Sequence, residues 1–310
     1  MRSVRVSFLG NDAWSVPSLE ALASSSHQVV LVVTAEPKPA GRGNELRPTA
    51  VAEAARAMEL PLAEVDTVKA GSGFKALAAS QPDVLVVVAY GEILPPNVLN
   101  LPAIAPVNVH FSLLPQLRGA SPVQTAILMG LGKTGVSTIV MDRGLDTGPV
   151  MMQREEPVRE DDDAGSLGAR LADIGALMLV ETIDRLASGP VAPSPQDHTI
   201  ATFAPKFGPQ DRRIDWTAPA DVLSRLVRAL SPEPSATASF RGEGLKVFRA
   251  EAVEAEGVPG VVVEVTKRGF VVATGRGGLR PIEIGPAGRK RMGAAEFVRG
   301  YHPVSGEAME

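Results

Sequence analysis

The 310-residue sequence has no cysteine. That absence excludes disulfides, thiolate nucleophiles, Cys-ligated zinc and iron–sulfur clusters, and it suits a reducing compartment. Histidine is scarce as well. Only His27, His110, His198 and His302 occur, scattered along the chain, which argues against a His-rich metal centre. No dinucleotide fingerprint follows the first strand-like run, which passes straight into Leu9-Gly10-Asn11-Asp12. GRGG at 275–278 lies between strand-like segments and opens no helix, and no P-loop is present, so hydride transfer and NTP hydrolysis lose their usual signatures. No stretch approaches the roughly 20 apolar residues of a membrane span. The opening MRSVRVSFLGNDAW carries too short an apolar run for a signal peptide. The expectation is a soluble, cytoplasmic protein without a membrane partner.

What is present is ordinary globular usage, with 45% hydrophobic and 21% charged residues. At roughly 150 residues per domain, the length predicts two domains. The net charge of −4 hides an asymmetry: residues 1–200 carry 15 Lys/Arg against 22 Asp/Glu, whereas residues 201–310 carry 16 against 13. The C-terminal part is therefore the better candidate for meeting a polyanion.

Strand and helix signals alternate in the first half. VRVSF (4–8), QVVLVV (28–33), DVLVVVAY (83–90), VNVHF (107–111) and VSTIVMD (136–142) read as strands. Between them, SVPSLEALAS suggests a helix with Ser15 as N-cap, TAVAEAARAMEL one capped by Thr49, and SPVQTAILMG a short one. Asp161–Asp163 begin a long helix with Leu167, Leu171, Ile174, Met178 and Leu186 near a 3.6 period, closed by Gly189. This alternation predicts a doubly wound, mostly parallel α/β sheet. Three prolines at 190, 193 and 195 then predict a stiff connector. A helix at 221–230 and short strands with Gly-marked turns predict a small antiparallel β-barrel beyond it. The expected division is 1–189 as catalytic domain, 190–207 as Pro-rich linker and 208–310 as β-barrel.

The candidate chemistry lies in Val107-Asn108-Val109-His110. Side chains alternate along a strand, so Asn108 and His110 share one face while the valines pack on the other. In open α/β sheets the C-terminal strand ends are where ligands bind. A Pro- and Gly-punctuated loop, SLLPQLRGASP, follows, and thirty-six residues after His110 comes Asp146 in the glycine-flanked turn RGLDTG. If that turn ends an adjacent strand, an amide, an imidazole and a carboxylate meet in one crevice.

NVHFSLLPQLRGASP, MDRGLDTGPV, VVAYGEILP and FLGNDAW resemble the folate-dependent formyltransferases, and AGRGNELRP, RIDWT, LKVFRA and IGPAGRKRMGAAEFVRGYHP extend the likeness over nearly the whole chain. The resemblance implies a Rossmann-like formyltransferase domain followed by an OB-like barrel that binds tRNA. It implies transfer of a formyl group from 10-formyltetrahydrofolate to the α-amine of methionyl initiator tRNA, with Asn108, His110 and Asp146 catalytic and no metal. Ser112, Leu113, Leu114 and Pro115, with Val88, Ala89, Tyr90, Gly91, Ile93 and Leu94, would border the folate. Lys38, Arg42, Arg47, Lys206, Arg289, Lys290 and Arg291 would contact the tRNA, and the protein is expected to be a monomer. Two stretches depart from the family pattern: Gln116 and Leu117 replace a basic and an aromatic residue, and Ser231-Pro232-Glu233-Pro234 stands where tryptophan is common. Two alternatives remain open at this point. One is a small-amine acceptor such as glycinamide ribonucleotide or an amino-sugar nucleotide, and the other is a non-catalytic RNA-binding protein on an enzyme scaffold.

Overall fold

The computed structural model describes residues 2–40 and 45–310. The first sheet has the order β5-β2-β1-β6-β7-β8-β9. Its strands are β1 (Arg5–Gly10), β2 (Gln28–Ala35), β5 (Leu62–Val65), β6 (Val84–Val88), β7 (Ala105–His110), β8 (Lys133–Val140) and β9 (Val150–Pro157), and a separate hairpin pairs β3 (Lys38–Ala40) with β4 (Glu45–Arg47). The strands from β5 to β7 pair in parallel, whereas β8 is antiparallel to both of its neighbours. All five residues of β6, VLVVV, are buried, as its continuous apolar run requires of a strand covered on both faces. At about 1.5–3 kcal/mol for each fully buried aliphatic side chain, such strands anchor the sheet.

The helices are α1 (Val16–Ala23), α2 (Ala50–Ala57), α3 (Gly71–Ser80), α4 (Pro96–Leu99), α5 (Pro122–Leu128) and α6 (Ala164–Ser188). Thr49 caps α2 as expected, its hydroxyl accepting from Ala52 N at 3.0 Å. Ser15 does not act as a side-chain cap. A short 3₁₀ turn precedes α1, capped by Asp12, and this leaves the Ser15 hydroxyl to donate to Val88 O at 2.7 Å, tying α1 to the end of β6. Asp163 Oδ1 accepts from Ser166 N at 2.8 Å in the first turn of α6. Further along that helix, a Cβ on Gly175 would stand 2.9 Å from Val109, so the helix lies close against the valine face of β7.

The chain divides into two compact units: residues 1–122, 133–157 and 168–205 form one, and residues 123–132, 158–167 and 206–310 the other. In the second, α7 (Ala220–Leu230) presents Leu223, Leu226, Val227 and Leu230 at helical spacing to a shared core. An antiparallel sheet runs β10 (Ala236–Phe240), β11 (Glu243–Val253), β14 (Gly278–Pro286), β13 (Gly269–Ala273) and β12 (Val262–Thr266), with β15 (Met292–Gly293) beside β14 and α8 (Ala294–Tyr301) following. The two edge strands are joined by the last residues. Met309 bridges Phe240 and Ala308 bridges Val261, while Met309 N donates to Gly260 O at 2.7 Å and Glu310 N to Ser239 O at 3.0 Å. A segment with no strand signal of its own thus closes the sheet. No helix among the described residues is long and apolar enough to cross a membrane.

Candidate active site

Asn108 and His110 lie on the last turns of pleat of β7, both under a tenth exposed. Because β8 runs antiparallel, Val140 pairs with Val107, and the strand ends beside the beginning of β7 rather than at the rim. The connection from β8 to β9 then folds back and delivers Asp146. Its Oδ1 lies 3.4 Å from Asn108 Nδ2 and its Oδ2 3.7 Å from His110 Nδ1. The three groups converge, by a route different from the strand-end approach the sequence suggested.

The carboxylate is held more tightly elsewhere: Oδ2 accepts from Gly119 N at 2.8 Å. Gly119 cannot be replaced freely, since its φ is +121° and a Cβ would stand 2.6 Å from Ala204 O. Asp146 itself adopts φ +53°, Leu117 +58° and Ala89 +43°, so left-handed non-glycine residues gather on the loops around this rim. Each such conformation costs of order 1–3 kcal/mol and persists only where surroundings enforce it. His110 Nε2 lies 3.0 Å from Leu117 O. A carbonyl can only accept, so Nε2 carries hydrogen, and in the neutral ring Nδ1 presents a lone pair toward Asp146.

The loop after His110 is pinned from beneath. Ser137 Oγ donates to Ser112 O at 2.6 Å and accepts from Leu114 N at 3.0 Å, and Gln153 Nε2 donates to Leu114 O at 2.7 Å. The Pro-rich segment also takes part. Leu117 N donates to Thr202 Oγ1 at 2.9 Å, and Arg118 exchanges backbone bonds with Thr202 and Ala204. Neither Ser137, Gln153 nor this segment was read as part of the site, because each acts from a strand or connector distant in sequence.

Among the residues expected to border folate, Ser112, Val88, Tyr90, Leu94 and Leu114 are buried, and Tyr90 and Leu94 belong to a hydrophobic core. Burial, with help from the charge of Glu92, pushes the Tyr90 hydroxyl well above its usual range, so it stays neutral. Ala89, Gly91 and Ile93 are exposed, and Leu113 and Pro115 half-buried. Beside them Asn11 Oδ1 accepts from Thr34 Oγ1 at 2.8 Å and Ala35 N at 2.7 Å, joining the ends of β1 and β2.

Lys38 and Arg47 face each other across the β3–β4 hairpin, exposed, while Arg42 lies outside the described residues. Lys206, Arg289 and Lys290 are exposed. Arg291 pairs with Glu283 and stacks over Phe248 at 4.4 Å. Among the described residues no cluster of three or more His, Asp or Glu is placed to hold a metal ion.

An amide, an imidazole and a carboxylate gathered on one side of a central strand suit one-carbon transfer, and family comparison names that class. Residues 4–183 match the family model described as formyl transferase, and residues 206–302 the one described as formyl transferase, C-terminal domain. The chain belongs to the formyl transferase family. Its relatives include the methionyl-tRNA formyltransferases of Aromatoleum aromaticum, 41% identical over 307 residues and covering 99% of this chain and 97% of the relative. That of Stutzerimonas stutzeri is 40% identical over 294 residues, covering 95% and 94%. Among solved structures, methionyl-tRNA formyltransferase from Clostridium thermocellum shares the fold, with a TM-score of 0.58 at 18% identity, covering 80% of this chain and 92% of that one. HypX from Aquifex aeolicus, solved with tetrahydrofolic acid, does so with a TM-score of 0.66 at 20% identity, covering 96% and 48%.

Proposed function

We propose that the protein transfers the formyl group of 10-formyltetrahydrofolate to the α-amino group of methionyl initiator tRNA. The observation that carries this reading is the convergence of Asn108, His110 and Asp146, in a chain similar over nearly its full length to methionyl-tRNA formyltransferases. As the amine attacks, negative charge gathers on the formyl oxygen. Asn108 Nδ2 donates to it, and so does His110 once Nδ1 carries a proton; a donor of this kind is typically worth about 3 kcal/mol. Asp146, directly or through water, takes the proton that the attacking nitrogen loses and returns it to N10 as the carbon–N10 bond breaks. Such acid–base help contributes roughly 10²–10⁴-fold. No metal enters these steps.

Leu113, Pro115, Ala89, Gly91 and Ile93 supply accessible surface for the flat carrier, while Val88, Tyr90, Leu94, Leu114 and Ser112 support it from within. Lys38 on β3 and Arg47 on β4, with Arg42, Lys206, Arg289, Lys290 and Arg291, meet phosphates and position the tRNA without reading its sequence. Residues 1–189 carry the chemistry, 190–207 connect, and 208–310 bind tRNA. The protein works as a cytoplasmic monomer.

The test is mobility of methionyl initiator tRNA on an acid urea gel after incubation with 10-formyltetrahydrofolate, run beside glycinamide ribonucleotide and amino-sugar nucleotides as competing acceptors. Formylation of the tRNA with no turnover of the small amines is expected. Turnover of a small amine alone would overturn the reading.

A further inference from the structure

Gln196 lies in the Pro-rich segment, fifty residues from Asp146 in sequence, and is only 8% exposed. Every hydrogen-bonding position of its amide group is matched. Oε1 accepts from Arg118 Nε at 3.1 Å and from Arg118 Nη2 at 2.6 Å. Nε2 donates to Asp146 O at 2.8 Å and Gly148 O at 2.6 Å. A guanidinium has only donors, so Arg118, itself 4% exposed, settles which end of the amide is which. Oε1 must face Arg118, and the two amide hydrogens must face the Asp146 turn. Arg118 is fixed in turn by His198 Nδ1 at 3.0 Å and by its backbone bonds to Thr202 and Ala204.

These bonds hold a turn that needs holding. Asp146 is left-handed with φ +53°, and a Cβ on Gly148 would stand 1.8 Å from Val140 O, so the segment sits pressed against its own strand. Fixing the carbonyls on both sides of Thr147 fixes where the Asp146 side chain emerges.

We infer that Gln196 is a positioning residue of the formyl-transfer site: its amide, oriented by Arg118, holds the Asp146 turn so that the carboxylate faces Asn108 and His110. The inference rests on the catalytic reading of that trio. It assigns to the connector a part in catalysis beyond joining two domains.

Substitution by glutamate separates positioning from mere anchorage. Gln196→Glu keeps size and shape and strengthens the tie to Arg118, but it removes both N–H donors and sets carboxylate oxygen against two carbonyls. Gln196→Met removes the polar contacts without adding charge. Steady-state formylation and thermal melting are measured for both, beside Asp146→Asn. Both Gln196 variants should lower kcat by about 10–100-fold, as a displacement of roughly 1 Å does, with KM for both substrates nearly unchanged. Melting should fall, because buried polar groups lose their partners, with both variants still folded at the assay temperature. A folded Gln196→Glu with kcat near the parent value would overturn the inference, because the anchorage to Arg118 would then be all that matters. Loss of folding in both variants would also overturn it, in favour of a structural tie. If Asp146→Asn is inactive while Gln196→Glu is active, only this inference falls; if Asp146→Asn keeps full activity, the catalytic reading falls first and takes the inference with it.

Discussion

His110 and Leu117 together fix the direction in which the buried imidazole can act. With Nε2 donating to the Leu117 carbonyl at 3.0 Å, the only nitrogen left for chemistry is Nδ1, which faces Asp146 at 3.7 Å. The longer distance leaves the carboxylate loosely engaged before substrate arrives, as is common for catalytic groups in the absence of substrate. Removing the ring should therefore take away one of the two donors to the formyl oxygen while leaving tRNA binding, which depends on other residues. His110→Ala should lower kcat by about 10²–10³-fold, with the tRNA dissociation constant unchanged. Single-turnover formylation and filter binding check the two halves, and unchanged turnover would remove the mechanism.

Asn108→Asp probes the other donor. The replacement keeps the shape of the side chain but exchanges an N–H donor for a carboxylate oxygen, placed toward Asp146 Oδ1, now 3.4 Å from the amide nitrogen. It should lower kcat by about 10²–10³-fold, the usual loss when an oxyanion donor is removed. Asn108→Ala removes the donor without adding charge, and a smaller fall in its kcat would identify repulsion as part of the loss in Asn108→Asp.

The alternation in Val107-Asn108-Val109-His110 was legible because a strand repeats every two residues, and the structure sets Val109 against Gly175 of α6 while Asn108 faces Asp146. The route taken by Asp146 was not legible. Sequence shows that VSTIVMD is a strand, but its antiparallel pairing to β7 is decided by long-range packing. Ser15 looked like a cap because Ser followed by an early proline is a helix-start signal, yet Asp12 begins a 3₁₀ turn one step earlier and frees the hydroxyl for Val88 O. The β3–β4 pair carries no legible signal, since three-residue strands, one with a proline, show no periodicity. Gln196 was hidden for a similar reason. A proline-rich stretch reads as a connector, and nothing local tells that its side chains reach back to a turn.

Closure of the second unit by residues 307–310 has a measurable counterpart. Met309 is 3% exposed within the core, and Met309→Ala should destabilise this unit by about 2–5 kcal/mol, as truncating a buried Met usually does. Glu307 adds pH dependence. Its carboxyl lies below the usual carboxylate value because Val304 N and then Arg241 bond its charged form. A group with a lowered folded pKa stabilises above its ordinary value, near 4.5, and that contribution is lost as pH falls through the folded value. Denaturant melts of the parent and Glu307→Gln should therefore converge in acid and separate toward neutrality. Parallel curves would dissociate Glu307 from closure.

Salt dependence tests how the basic surface engages tRNA. Arg289 and Lys290 are exposed on the turn after β14, whereas the neighbouring Arg291 is occupied by Glu283 and by the ring of Phe248. A phosphate contact by Arg291 must first displace a carboxylate already in place, so its net contribution is smaller than its charge suggests. Binding through several phosphates makes log K fall linearly with log salt, with a slope of roughly −0.7 to −0.9 per contact. Arg289→Ala and Lys290→Ala should each flatten that slope by about one contact and weaken all tRNAs alike, because phosphate contacts carry no sequence information. Arg291→Ala should change it by less. Filter binding of initiator tRNA across a salt series measures all three, and an equal, full-contact loss for Arg291→Ala would mean that its pairing with Glu283 opens when tRNA binds.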